Sequence, residues 1–184
     1  MNASRLASCL LAGLLSCAAL PALADVVMVG GAAMYPTKDI IDNAVNSSDH
    51  TTLVAAVKAA GLVDTLKGKG PFTVFAPTNA AFAALPAGTV DTLLKPENKA
   101  MLTKILTYHV VAGDIDSAKL LKEIAAGGGK ATLKTVSGGT LIAMKSGSGI
   151  SLTDEKGGVA MITIPDVKQS NGEIHVINKV LLPD

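Results

Sequence analysis

Hydrophobic spacing changes character once along the chain. Ahead of Lys130 the apolar positions recur at helical intervals, and after it they alternate with polar ones. The first part predicts a helix over Lys38–Val45, capped by Thr37, with Ile40, Ile41, Ala44 and Val45 on one side. Asn46-Ser47-Ser48-Asp49 breaks it. A second helix begins at Thr51 or Thr52, carries Leu53, Val54, Val57 and Ala60 inward, and ends at Gly61. Leu62, Val63 and Leu66 make a short turn, Val90, Leu93 and Leu94 another. Glu97–Thr107 reads as a helix with Met101, Leu102, Ile105 and Leu106 inward. It runs into an apolar strand over Tyr108–Ile115. Asp116 or Ser117 then caps a helix bearing Ala118, Leu120, Leu121 and Ile124, which Gly127-Gly128-Gly129 ends.

Beyond Lys130, strands are predicted near Ala131–Val136, Thr140–Lys145, Gly149–Leu152, Val159–Ile164 and Ile174–Leu182. Glycine-, serine- and asparagine-rich turns separate them. Helices first and antiparallel strands later make an α+β arrangement, not an alternating βαβ one. One stretch stands apart. Phe72–Pro86 holds all three phenylalanines: a short strand ended by Pro77, then Thr78 as the cap of a helix over Asn79–Leu85. Phe72, Phe75 and Phe82 are expected in the core.

The amino terminus predicts a separate fate. Arg5, the apolar run Leu6–Leu20 and Ala22-Leu23-Ala24 fit a secretory leader cleaved after Ala24. A lipoprotein signal at Cys17 is the rival, but Leu15 and Ser16 are poor before it. Asp25–Pro36, apolar with paired glycines, reads as an arm lying on a domain over residues 37–184. Roughly 160 residues remain after cleavage, one domain's worth. Both cysteines lie in the leader, so the mature chain would have no disulfide in an oxidising compartment and no thiol chemistry. Arg5 is also the only arginine, and the lysines that remain balance the 15 acidic residues. A neutral chain with no arginine and no tryptophan argues against nucleic acid and against bidentate clamping of phosphate.

Candidate chemistry is sparse. The three histidines are His50, His109 and His175. Ser48-Asp49-His50 is no triad, because consecutive side chains point apart. No His-x-His or Glu-x-x-His spacing offers a metal site, and Asp114 with Asp116 is too few carboxylates for calcium. Gly127–Lys130 lacks the Ser or Thr that a phosphate loop needs. Asn46-Ser47-Ser48 matches a glycosylation acceptor, but loop residues explain it as well. Tyr108, His109 and His175 read first as packed residues whose polar atoms must find partners.

Three blocks stand in order: Phe72-Thr73-Val74-Phe75-Ala76-Pro77-Thr78-Asn79 with Ala80-Ala81-Phe82, then Leu106-Thr107-Tyr108-His109-Val110-Val111, then Asn171 through Pro183. Together they resemble the fasciclin (FAS1) domain family, in the layout of its small secreted bacterial members. The resemblance implies a helical layer packed on a wedge-like antiparallel β-sandwich. It also implies a non-enzymatic role in cell adhesion or extracellular-matrix interaction, without cofactor or metal. Partners would be a cell-surface or matrix protein, a polysaccharide, or a second copy. The residues matching the family's binding region are Tyr108, His109, Asp114 and Ile115. The alternative from another class is a small-ligand binder or hydrolase using a cleft between His109 and His175.

Overall fold

The computed structural model describes residues 26–184. The predicted leader, with Cys9 and Cys17, lies outside them. The described chain opens with an antiparallel hairpin, Val27–Val29 (β1) and Ala32–Met34 (β2), turned by Gly30 and Gly31 in the left-handed region at φ +56° and +74°. Val29 and Met34 point inward and join the core.

Seven helices follow in chain order: Ile40–Ala44 (α1), Thr51–Ala60 (α2), Val63–Lys67 (α3), Asn79–Ala83 (α4), Thr89–Leu93 (α5), Lys99–Tyr108 (α6) and Ser117–Ala126 (α7). Asp39, not Thr37, caps α1: the Asp42 N–H donates to its carboxylate at 2.8 Å. A carboxylate there also suits the positive end of the helix. Thr78 caps α4 and Asp116 caps α7 as the spacing predicts. Gly61 closes α2 at φ +74°. α6 keeps Tyr108 as its last residue, and His109, still near-helical, ends it.

The strands are Phe72–Pro77 (β3), Val110–Ala112 (β4), Lys130–Lys134 (β5), Thr140–Ser146 (β6), Gly149–Thr153 (β7), Val159–Gln169 (β8) and Gly172–Ile177 (β9). They form one sheet in the order β4-β3-β9-β8-β7-β6-β5. The expectation of antiparallel pairing throughout is corrected at one place: β3 and β9 run parallel, from Phe72 opposite Gly172 to Pro77 opposite Ile177. Alternation records which face a residue takes and is silent on strand direction. Boundaries also move, and the strand expected over Ile174–Leu182 runs over Gly172–Ile177. The predicted strand over Tyr108–Ile115 shrinks to β4, because Gly113 at φ +115° lifts the chain off the sheet. β8 continues past Ile164 through Pro165 and Asp166, with register shifts that bend it. Its start pairs with β7 and its remainder with β9. The sheet edges then meet, with Val111 bridged to Thr135 and the Val136 N–H on the Val110 carbonyl at 2.8 Å. That closure makes the wedge.

β3 and β9 are buried on both faces. Val74, Ala76, Ile174 and Val176 face the helices, beside Phe82, Leu102 and Leu106. Phe75 and Ile177 face the other way, into a second core with Tyr108, Leu120, Leu141 and Leu152. Phe72 is half-buried at the rim of the helical core. At their starts the two strands touch backbone to backbone: a Cβ on Gly172 would lie 1.9 Å from the Phe72 carbonyl oxygen. Only glycine fits there.

Candidate functional site

Tyr108 and His109 are structural in their surroundings. Tyr108 is 0% exposed; its hydroxyl donates to the Thr140 carbonyl at 2.7 Å and accepts the Glu155 N–H at 3.1 Å. Burial pushes the phenol up to about 12. His109 is 2% exposed, and its Nε2 accepts the Leu181 N–H at 3.0 Å. Its proton therefore sits on Nδ1, which donates to the Ile105 carbonyl at 2.8 Å. Burial pushes this ring down to about 4, so it is neutral at ordinary pH. The side chain staples the end of α6 to the carboxyl-terminal segment. Ile115 is buried too, and of the four family-matched residues only Asp114 is exposed.

A second group gathers on the sandwich face of β3 and β9, under the loop that joins β4 to α7. The Thr73 hydroxyl donates to the Gly113 carbonyl at 2.7 Å and accepts the Ile115 N–H at 2.9 Å. Two residues along the facing strand, His175 stacks on Phe75 with centroids 5.6 Å apart. Its Nδ1 accepts the Asp166 N–H at 3.1 Å, so Nε2 carries the proton and donates to the Ile115 carbonyl at 2.8 Å. Burial lowers its basicity. Asp166 occupies the left-handed region at φ 58° within the β8 bulge. Its carboxylate accepts both the N–H and the hydroxyl of Ser117, the first residue of α7.

Glu173 lies between them, opposite Thr73 on β3 and Lys168 on β8. It is 1% exposed, and Oε1 has no hydrogen-bond partner among the described residues. Burial, then the negative charges of Asp166, Asp114 and Asp116, push its carboxyl up to about 7; Lys168 works against them. One ligand atom each from Asp166, Glu173 and His175 lies within 4.8 Å of the others. Period two places Glu173 and His175 on one face, so that pair was readable in the sequence. Asp166 was not, because the bulge that aims it has no simple sequence mark.

The remaining candidates separate. His109 and His50 line an apolar cavity of about 60 Å³ between the helices and the sheet, and His175 does not. Ser47 Oγ lies 2.9 Å from His50 Nδ1, but both residues are buried. Burial lowers the basicity of His50. Asp114 sits at the edge of an open polar cleft with Asp39, Lys67 and Asn171. On the far side of α1, Asn43 is fully buried; it accepts the Tyr35 N–H at 3.0 Å and donates to the Tyr35 carbonyl at 2.8 Å and to Gln169. These bonds clamp the hairpin exit to α1 and β8. The hairpin's outward face is apolar: Val26, Met28 and Tyr35 are 45%, 58% and 43% exposed. Sequence reading missed this face, having taken the arm as a cover for the domain.

The sequence profile of the fasciclin domain matches residues 48–183. The chain is 48% identical over 157 residues to Protein sll1483 of Synechocystis, covering 85% of this chain and 79% of that protein. It is 40% identical over 143 residues to Immunogenic protein MPB70 of Mycobacterium bovis, covering 75% of this chain and 65% of that one. Among solved structures it resembles a FAS1 domain pair from the insect cell adhesion molecule Fasciclin I. The TM-score is 0.55 at 21% identity, over 71% of this chain and 43% of that one.

Proposed function

The chain belongs to the fasciclin-domain family, and from that membership we propose that it is a secreted or periplasmic module that binds other surfaces and catalyses nothing. Its partner is a cell-surface or matrix protein or polysaccharide, or a second copy of itself. Support for export comes from the leader pattern over Met1–Ala24. Among the described residues no helix is long and apolar enough to cross a membrane. The observation that carries the binding reading is the outward face of the β1–β2 hairpin. Met28 and Tyr35 are large, exposed side chains on a two-stranded ribbon whose other face is locked into the core. A rigid ribbon presenting a methionine and a tyrosine loses little entropy on docking, and both side chains suit contact surfaces. The Lys38 ammonium lies over the Tyr35 ring, 5.1 Å from its centroid.

Less supports the alternative, a ligand binder or hydrolase working from His109 and His175. Each ring has both nitrogens engaged by backbone, so neither has a lone pair free for a substrate proton. The test is capture from cell-surface and matrix extracts by the immobilised mature protein. The double variant Met28→Ser, Tyr35→Ser should keep its circular dichroism and lose about tenfold or more in retention of the partner, as expected when anchor side chains are truncated. Equal retention by the variant would sink the hairpin reading. Turnover of a small ester that disappears in His109→Ala at unchanged stability would favour the enzyme.

A further inference from the structure

We propose that the carboxylates of Glu173 and Asp166, beneath the Asp114–Asp116 loop, bind one hard divalent cation. Three features converge. Asp166 and Glu173 each place a carboxylate oxygen within 4.8 Å of the other, a span that one ion can bridge, and a His175 ring nitrogen lies within the same distance of both. Glu173 is 1% exposed, and its Oε1 is without a hydrogen-bond partner among the described residues. An orphaned buried carboxylate oxygen is costly and calls for a ligand. The third feature is charge: Asp166, Asp114 and Asp116 all lie close enough to bear on Glu173. Facing them are two lysines and a helix end. Lys168 lies opposite Glu173, and Lys119 reaches the Asp114 carbonyl at 3.3 Å. The first N–H of α7 is already given to Asp166. Four carboxylates against two exposed ammonium groups leave the face net negative.

The donor set selects the ion. Nδ1 of His175 already accepts the Asp166 N–H, and Nε2 already donates to Ile115. The imidazole therefore walls the site and orients Asp166 in the manner of an outer-shell group. The ligands are oxygens: Glu173 Oε1 and Asp166, whose carboxylate keeps lone pairs beyond those used by Ser117. Asp114, exposed in the loop above, adds its negative charge to the site. Oxygen donors of this kind suit Ca²⁺ or Mn²⁺ over Zn²⁺. Such a cation would tie the bulge of β8 to β9. The site is separate from the hairpin, so either can fail without the other.

The test is calorimetric titration of the mature protein with CaCl₂ and, separately, MnCl₂ at pH 8, with thermal unfolding at each ion concentration. One-site binding is expected on the order of 1 mM or tighter, the range of extracellular calcium modules, with the melting temperature rising as the ion is added. Mn²⁺ should broaden the amide signals of Asp166, Glu173 and Ser117 before others. Glu173→Gln, an isostere that keeps the fold, should weaken binding at least about tenfold; Asp91→Asn, an exposed acid on α5, should not. Absence of saturable binding of both ions, or equal affinity in Glu173→Gln, overturns the proposal.

Discussion

Phe75→Ala is expected to lower stability by about 3–5 kcal/mol, the usual cost of truncating a fully buried phenylalanine. Phe75 is 0% exposed and packs in the sandwich core beside Tyr108, Leu120 and Ile177. Its ring also supports His175, stacked at 5.6 Å with an interplanar angle of 25°. Removing it opens a cavity and frees an imidazole that holds Asp166 on one side and Ile115 on the other. The described residues contain no cysteine, so no disulfide restrains them against this loss. For a domain of this size the melting temperature should fall by about 10 °C. Phe72→Ala, half-buried at the rim of the helical core, should cost clearly less. Thermal and urea unfolding of the two variants measure the difference. An unchanged midpoint for Phe75→Ala would remove that ring from the account of the core.

The second large effect is on pH dependence. His109 is neutral in the folded protein down to about pH 4, whereas an unfolded histidine takes its proton near 6.5. Below 6.5 the unfolded chain thus binds the extra proton, and stability from this group is lost as pH falls from 6.5 to about 4. At about 1.4 kcal/mol per unit the loss is about 3 kcal/mol. Burial lowers His50 and His175 as well, in the same sense. Glu173 acts oppositely. Folded, it holds its proton up to about pH 7; unfolded, it releases it near 4.5. Its stability contribution is therefore present at low pH and lost as pH rises from 4.5 to 7. Between 4.5 and 6.5 the slopes of His109 and Glu173 oppose each other, and wild-type stability changes little from this pair. Glu173→Gln removes one side of that balance. Measured without divalent cations, it should match wild type near pH 4 and exceed it by about 3 kcal/mol at pH 8. Its stability should climb steeply from pH 4 to 6.5. Denaturation midpoints across that range decide it: parallel curves for the two proteins would contradict the assignment of these protons.

Much of the fold was legible because burial imposes period. The stripe of α2, the inward Leu102, Ile105 and Leu106 of α6, the αL stop at Gly61 and the Thr78 and Asp116 caps follow from residue type and spacing alone, whereas Met101, expected inward with them, faces out at 58% exposure. The parallel partnership of β3 with β9 did not, since it joins segments a hundred residues apart whose alternation is the same in either direction. The extent of β8 was hidden by Pro165, which ordinarily ends a strand and here sits in a bulge. The site was less legible than the fold. Tyr108 and His109 could be singled out by residue type, but only tertiary placement shows their polar atoms consumed by Thr140, Glu155, Ile105 and Leu181. Glu173 was not singled out, since the expected strand began at Ile174; it is buried because the Gly113–Asp116 loop crosses above it.

Central to this account is a division of labour: the Tyr108-His109 block holds the fold, and the β1–β2 hairpin meets the partner. Photocrosslinking in intact cells tests it most directly, with a photoreactive residue placed at Met28 and, in a separate protein, at Met101, equally exposed at 58% on α6. The account predicts a discrete crosslinked partner, or a crosslinked dimer, from position 28 and little from position 101. Crosslinks of equal yield from both positions, or from 101 alone, would contradict it.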